Sequence, residues 1–174
     1  MRLFTIGHST RPLEELAALL RENGVRQLLD VRTVPRSRHN PQFNSDALAV
    51  SLSERGIAYV HRPQLGGLRK PRRDSMNMGW KNESFRGYAD YMQTPEFEQA
   101  LTGLMAEAGQ SPTVIMCAEA LPWRCHRSLI ADALSVQGVE VRHIMGPGKA
   151  ELHALTGFAH VEGAHITYPF ALEG

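Results

Sequence analysis

The chain alternates between two patterns of apolar and polar residues. Short apolar runs predict five strands, at residues 3–6, 25–31, 57–60, 113–116 and 139–145. Segments with apolar residues three and four positions apart predict helices, at residues 13–23, 45–55, 88–108 and 125–134. Because strands and helices follow one another in turn, the pattern predicts an α/β fold with a mainly parallel sheet of about five strands.

Residues typical of helix ends support several of these boundaries. Ser45 and Thr94 are common N-cap residues, and Pro95 either interrupts one helix or separates two. Beyond residue 145 the pattern is weaker and predicts a short helix over residues 151–155. It also predicts an edge strand over residues 166–170, where a proline limits pairing.

The segment from residue 61 to residue 86 differs from the rest of the chain. It is rich in glycine, proline, arginine and lysine, and it carries seven basic residues against two acidic ones. Connections of this length are uncommon in compact domains and often serve as lids or binding loops. We therefore expect one domain over residues 1–174, with a long basic loop or lid at residues 61–86.

Composition and charge exclude some classes of protein. Lysine and arginine together number 19 against 18 aspartate and glutamate residues, so no strong overall field would attract nucleic acid or a membrane. No apolar run is long enough to cross a bilayer, and the N-terminus lacks the pattern of a signal peptide. A cytoplasmic protein without a membrane partner is expected. The composition specifies neither a cofactor nor an oligomeric state.

Reactive side chains cluster directly after the predicted strands. In a parallel sheet the carboxyl ends of the strands meet at one edge, where ligands of such folds usually bind. The residues that follow the first, second and fourth strands include His8, Ser9, Asp30, Arg32, Ser37, Cys117 and Glu119. We expect these side chains to converge on one site.

The start of the fourth helix strengthens this expectation because it is unusually basic. Arg124, Cys125, His126 and Arg127 lie at or just before its first turn. A helix N-terminus favours anions, so two arginines there are costly unless a carboxylate or a bound anion offsets them. The expected partner is a phosphate-bearing small molecule or a nucleic acid.

The residues divide into two groups by expected role, although the sequence leaves open whether the site is catalytic. Arginines hold the anion, histidines transfer protons, and carboxylates orient the cations. The expected catalytic residues are His8, Cys117, Glu119 and His126, and the expected ligand-binding residues are Ser9, Asp30, Arg32, Ser37, Arg124, Cys125 and Arg127.

Thiol or metal chemistry at Cys117 and Cys125 is an alternative at the same place. A thiol beside arginine and histidine at a helix start is acidified toward the nucleophilic thiolate. Six residues separate Cys117 from Arg124, whereas cysteine phosphatases and rhodanese-like transferases use a five-residue loop. No familiar metal motif is present, so no metal site is predicted, and one would need both cysteines, His126 and a remote histidine.

A non-catalytic nucleic-acid-binding module is a further alternative. Arginine suits phosphate recognition because its guanidinium is planar and bidentate. In this interpretation the contacts come from the basic loop, through Arg69, Lys70, Arg72 and Arg73.

Seven motifs, spread over nearly the whole chain and in a fixed order, resemble one family. They are TIGHST at 5–10, LLDVRTVPRSR at 28–38, PQFN at 41–44, GIAYVHRPQLGG at 56–67, YADYM at 88–92, CAEALPWRCHRSLIA at 117–131 and VRHI at 141–144. Together they resemble the bacterial and archaeal family called domain of unknown function 488. The resemblance implies a single Rossmann-like, three-layer α/β domain and brings no established activity, cofactor or residue role.

Overall fold

The computed structural model of the protein describes residues 1–170, which form an α/β fold. The strands are β1 (Arg2–Gly7), β2 (Gln27–Asp30), β3 (Ala58–His61), β4 (Thr113–Cys117), β5 (Glu140–Ile144), β6 (Glu151–Leu152), β7 (His160–Glu162) and β8 (His165–Thr167). The α-helices are α1 (Leu13–Glu22), α2 (Ser45–Ser53), α3 (Glu83–Tyr91), α4 (Pro95–Gln110) and α5 (Arg127–Val136). Short 3₁₀ turns lie at Pro41–Phe43, Pro63–Leu65 and Pro122–Arg124.

The main sheet has six strands in the order β3-β2-β4-β1-β5-β6. Strands β1 to β5 all pair in parallel, which confirms the predicted mainly parallel sheet. Strand β6 pairs antiparallel with β5. The short helix predicted over residues 151–155 is therefore wrong, because unpaired backbone groups along the edge of β5 hold Glu151–Leu152 as a strand instead.

Side chains alternate between the two faces of the sheet and divide the core into two clusters. Phe4 and Ile6 of β1 pack with residues of α1 and α2, whereas Leu3 packs with residues of α3, α4 and α5. Thr5 shares the face of Leu3 because successive side chains of a strand point to opposite sides. Helices on both faces of a central sheet confirm the three-layer, Rossmann-like arrangement.

The direction of the connections reverses between β1 and β4. The connection from β1 leads away through α1 on one face, and the connection from β4 leads the opposite way through α5 on the other. Such a reversal is where open α/β sheets bind ligands. Gly7 of β1 lies beside Cys117 of β4 in the register. A Cβ at Gly7 would lie 1.7 Å from the carbonyl oxygen of Glu119, so the loop after β4 needs glycine there.

Helix starts agree with the sequence in part. Thr94 caps α4 by accepting a hydrogen bond from the backbone N–H of Phe97 (3.3 Å), as expected. Helix α3 begins at Glu83, earlier than predicted, because the side chain of Asn82 caps it. Ser45 is the first residue of α2 rather than its cap.

The C-terminal part of the described chain forms a separate hairpin. Strands β7 and β8 pair antiparallel with each other and not with the main sheet. The segment predicted over residues 166–170 does form a strand in part, as β8, but it is not an edge strand of the main sheet, because β6 already pairs with the edge of β5.

The basic loop contains no helix or strand between residues 66 and 82. Its buried Asn77 donates to the carboxylate of Asp90 in α3 (2.7 Å) and accepts from the backbone N–H of Tyr168 (2.9 Å), which ties the loop to the body of the protein. Its role as a lid stays a prediction, as do the single domain and the cytoplasmic location. None of the helices described is long and apolar enough to cross a membrane.

Candidate functional site

A cleft of about 380 Å³ opens at the carboxyl ends of β2 and β4. Six of the residues predicted to form a site line it: Arg32, Cys117, Glu119, Arg124, Cys125 and His126. Its other walls come from the loop after β2, the basic loop and the start of α3, including Thr33, Val34, Arg36, Gly67, Leu68, Ser84 and Phe85. The fold brings these side chains together, and their roles in binding or catalysis stay predictions.

Two free thiols lie at the base of the cleft. Cys117 is the last residue of β4 and faces α5, and Cys125 follows the 3₁₀ turn that leads into α5. Their sulfur atoms are 2.7 Å apart. The two residues are only 3% and 7% exposed. A loop that leaves β4 and returns through a tight turn therefore places one thiol against the other.

Arg127 points into the protein and not into the cleft. It is 0% exposed, and every nitrogen of its guanidinium has a partner. Nη1 donates to the sulfur of Cys117 (2.6 Å) and to the carbonyl oxygen of Glu119, and Nη2 donates to the carbonyl oxygen of Ala120 (2.9 Å). Nε donates to the hydroxyl of Thr5 (3.2 Å). An anion in the cleft would therefore not reach Arg127 directly.

The pKa values of the two thiols diverge because of these contacts. Burial by itself raises the pKa of Cys117, but the hydrogen bond from Cys125 and the positive charge of Arg127 outweigh it and lower the pKa from 9.0 to about 7. The pKa of Cys125 is raised well above 9.0, because its thiol donates to Cys117 and is itself buried. At pH 7 Cys117 is therefore about half ionised, whereas Cys125 remains a thiol.

His126 is held as a neutral ring beside Cys125. Its Nε2 donates to the carbonyl oxygen of Val31 (2.9 Å), which leaves Nδ1 as an acceptor 3.6 Å from the sulfur of Cys125. Burial, with a smaller contribution from the nearby Arg127, lowers the pKa of His126 to about 4. A Cβ on Gly67 would lie 3.2 Å from Nδ1, so a side chain there would press on this ring.

A second buried cluster is built around Arg32, just after the carboxyl end of β2. The guanidinium of Arg32 contacts both carboxylate oxygens of Asp30, with Nη2 to Oδ2 at 2.6 Å, and also donates to the carbonyl oxygen of Phe43. His8 donates from Nδ1 to the carbonyl oxygen of Ser9 (2.8 Å) and accepts from Arg32 at Nε2 (3.2 Å). Burial lowers the pKa of His8. Both ring nitrogens are occupied, and His8 does not line the cleft.

Other predicted residues take peripheral positions. The side chain of Glu119 is exposed, and its Oε1 accepts from the backbone N–H of Leu121 (3.3 Å). Ser9 and Ser37 lie outside the lining of the cleft, and the hydroxyl of Ser37 accepts from the backbone N–H of Asn40 (3.0 Å).

The residues of the nucleic-acid alternative divide into two pairs. Arg69 lies over the ring of Tyr91, with its guanidinium carbon 3.7 Å from the ring centroid, and Arg72 pairs with Asp74 (3.1 Å). Lys70 and Arg73 are exposed. Only the second pair presents cations to solvent without an intramolecular partner in the described structure.

Sequence reasoning missed the residues that lie behind the thiols and at the mouth of the cleft. Thr5, Asp132 and His143 are buried near α5 and belong to no motif that signals chemistry. Leu68 is 80% exposed at the mouth of the cleft with a φ of 61°, a conformation that side chains rarely adopt. Within residues 1–170, no three His, Cys, Asp or Glu side chains are grouped to hold a metal ion.

Comparisons with known proteins identify the family. The model of the family described as "Domain of unknown function DUF488" matches residues 12–134, which is more than half of the chain and includes both cysteines. No curated protein and no solved structure matches the chain. The family match and the fold agree with the motif resemblance, and the chain belongs to the DUF488 family.

Proposed function

We propose that the cleft performs thiol–disulfide exchange, with Cys117 as the nucleophile and Cys125 as the resolving thiol. The observation that carries the proposal is the contact between the two sulfurs at 2.7 Å beside the buried guanidinium of Arg127. A thiolate is the attacking form of cysteine, and a neighbouring cation stabilises it. The thiol alternative thus takes precedence over direct binding of an anion by Arg127.

The reaction follows two balanced displacements on a substrate disulfide. The Cys117 thiolate attacks one substrate sulfur, the substrate S–S bond breaks, and one substrate thiolate leaves. Cys125 then loses its proton, attacks the Cys117 sulfur, and releases the second substrate thiolate. The substrate is reduced to two thiols while the two cysteines are oxidised to a disulfide. Exchange with another dithiol in the reverse direction restores the starting state.

The proton of Cys125 must leave before the second displacement. In the resting state the Cys125 thiol donates to the Cys117 thiolate. That acceptor is lost once Cys117 is bonded to substrate. Nδ1 of His126 lies 3.6 Å from the Cys125 sulfur, but its lowered pKa of about 4 makes it a weak base. The departing substrate thiolate is the stronger base and takes the proton.

Stoichiometric reaction with 4,4′-dithiodipyridine, a neutral chromogenic disulfide, tests the proposal. The wild-type protein should release two equivalents of thiopyridone and lose two hydrogens in mass as the internal disulfide forms. Cys125→Ser should release one equivalent and retain a mixed disulfide at Cys117. In Cys117→Ser the remaining thiol should react at least about tenfold more slowly at pH 7. Equal rates for the two single variants would sink the proposal.

Recognition of an anion in the same cleft is a second candidate function, favoured by two arginines. Arg36 and Arg124 line the cleft, are exposed, and form no side-chain hydrogen bond or salt bridge within the described residues. Glu119 is the one acidic residue among those that line it. This charge distribution favours a negatively charged substrate.

Paired alkylating reagents measure this preference at Cys117. The ratio of the rates with anionic iodoacetate and neutral iodoacetamide should fall about threefold in Arg36→Ala and in Arg124→Ala, and should also fall with added salt. Arg73→Ala is the matched control, because Arg73 is exposed but lies outside the cleft. An unchanged ratio in both cleft variants would contradict the proposed preference for anions without contradicting the proposed thiol chemistry.

A further inference from the structure

The charge of Arg127 has no carboxylate partner at close range. Among residues 1–170 it forms no salt bridge, although it is fully buried. A buried charge without compensation is strongly destabilising, so its other contacts must hold it. The thiolate of Cys117 supplies one of them, and the contact at Nε leads away from the cleft into the protein.

A continuous chain of hydrogen bonds runs from Nε of Arg127 to a buried carboxylate. The hydroxyl of Thr5 lies 2.5 Å from Nδ1 of His143, and Nε2 of His143 lies 2.8 Å from Nδ1 of His153. Nε2 of His153 then lies 2.7 Å from the carboxylate of Asp132. The chain connects strands β1 and β5, the residues after β6, and helix α5.

The carboxylate at the far end sets the direction of every bond in the chain. Asp132 accepts, so Nε2 of His153 donates and its Nδ1 accepts from His143. Nδ1 of His143 then accepts from the hydroxyl of Thr5, whose oxygen remains free to accept from Nε of Arg127. The hydroxyls of Thr156 and Tyr168 also donate to Asp132, at 2.6 and 2.7 Å, and fix its orientation.

We propose that Thr5, His143, His153 and Asp132 are positioning residues that hold the guanidinium of Arg127 against the sulfur of Cys117. The proposal rests on the proposed function only in taking Cys117 as the reactive thiol. A guanidinium is a rigid plane with donors at fixed angles. Thr5 fixes Nε and the carbonyl oxygen of Ala120 fixes Nη2, so the direction of Nη1 toward Cys117 is determined.

His143 extends the chain without adding positive charge next to Arg127. Burial, with smaller contributions from the neighbouring His153 and Arg127, lowers the pKa of His143 to about 3. A neutral ring can accept at one nitrogen and donate at the other, which the single direction of the chain requires. A lysine or arginine at this place would repel Arg127.

Replacement of Thr5 by valine tests the chain, with the pKa of Cys117 as the readout. Thr5→Val removes the hydroxyl with little change of shape, so Arg127 loses its acceptor at Nε. The pKa of Cys117, measured from the pH dependence of iodoacetamide alkylation, should rise by about one unit, and the rate at pH 7 should fall about fivefold. Thr5→Ser keeps a hydroxyl and should restore the wild-type values.

Thr113→Val is the matched control. Thr113 is a fully buried threonine of the same sheet, and its hydroxyl bonds to Ser111 and Gln27, outside the chain. It should lose stability without a change in the pKa of Cys117. An equal rise in both valine variants, or an unchanged pKa in a folded Thr5→Val protein, would overturn the proposal.

A measurement on the unmodified side chains covers the case in which Thr5→Val does not fold. The titratable groups that face Cys117 are Cys125 and Arg127. The ¹⁵N resonance of Nδ1 in His143 should shift with the same midpoint as the alkylation of Cys117, and the shift should vanish in Cys117→Ser. A His143 resonance that does not change as Cys117 ionises would contradict the hydrogen-bond chain. A wild-type Cys117 that reacts with none of the reagents would contradict the proposed function itself.

Discussion

Two buried arginines at the carboxyl edge of the sheet are neutralised in different ways. Arg32 is 6% exposed and contacts both carboxylate oxygens of Asp30. Arg127 is 0% exposed and contacts carbonyl oxygens, a hydroxyl and the sulfur of Cys117. The charge of Arg32 is therefore balanced by its own neighbour in the chain, whereas Arg127 gains an anion only when Cys117 ionises.

The difference separates a structural arginine from one suited to chemistry. In the Arg32–Asp30 pair the two charges already compensate each other, so neutralising Arg32 does not require another group to ionise. In contrast, Arg127 stabilises a thiolate, and a stabilised thiolate favours the dithiol over the disulfide. The disulfide of Cys117 and Cys125 is then expected to be oxidising toward substrate dithiols.

Breaking the complete pair should have the largest effect on stability. Asp30→Asn leaves Arg32 buried without an anion, so the free energy of unfolding should fall by about 3–5 kcal/mol. Urea unfolding followed by circular dichroism measures it. Asp74→Asn is the control, since Asp74 pairs with Arg72 at the surface and should change stability by less than about 1 kcal/mol. Similar losses in both variants would contradict the distinction.

Replacing Arg127 should have the largest effect on the reactivity of the Cys117 thiol. In Arg127→Met the pKa of Cys117 should return to 9.0 or above, because burial then acts without the opposing charge. Alkylation at pH 7 should slow about fiftyfold. Arg142→Met serves as the control, because Arg142 pairs with Glu140 and has no contact with the thiols. A Cys117 pKa that stays near 7 would show that Arg127 is as structural as Arg32.

The histidines near Arg127 predict how stability depends on pH. The pKa values of His126 and His143 in the folded state, about 4 and about 3, lie below the usual 6.5. The unfolded chain therefore takes up protons first, and stability is complete above pH 6.5 and falls as pH drops toward 4. Between pH 6 and pH 5 the loss should be about 2 kcal/mol in urea unfolding. A constant stability across this window would be incompatible with two buried neutral rings.

The smallest effect concerns a third arginine, which stacks instead of pairing. Arg69 lies over the ring of Tyr91 and donates to the carbonyl oxygen of Gly66 (3.2 Å). Arg69→Ala should lower the free energy of unfolding by about 1 kcal/mol. Arg73→Ala should leave it within about 0.5 kcal/mol, because Arg73 is exposed. Reversed sizes of these two effects would mean that the basic loop is not held through Arg69.

Much of the fold could be predicted because its signals are local. The five apolar runs correspond to β1 to β5, and Thr94 caps α4 through a bond to a residue three positions away. The helix predicted over residues 151–155 is absent, and the strand predicted over residues 166–170 pairs with β7 and not with the main sheet, for a shared reason. Both predictions depended on which segment pairs with the edge of β5. That pairing is set by contacts between distant parts of the chain and not by the sequence of the segment itself.

Several residues predicted to form a site lie together, but one of them does not face as the sequence pattern predicts. Cys117, Cys125 and His126 were expected at one strand end, and they do lie together at the cleft. The sequence pattern also predicted Arg127 at this place, with its side chain directed toward a bound anion. A position at the first turn of a helix does not fix which way its side chain faces, and packing of α5 against the sheet turned this one inward.

The sequence by itself determined the order of strands and helices along the chain and the place of the candidate site residues after the strands. These features depend on neighbours within a few residues, so the periodicity and the motifs carry them. Only the tertiary structure decided that Arg127 meets Cys117 and that Thr5 connects it to His143, His153 and Asp132. Those contacts join residues from β1, α5 and β5 that are far apart in the chain, and no local pattern encodes their distances.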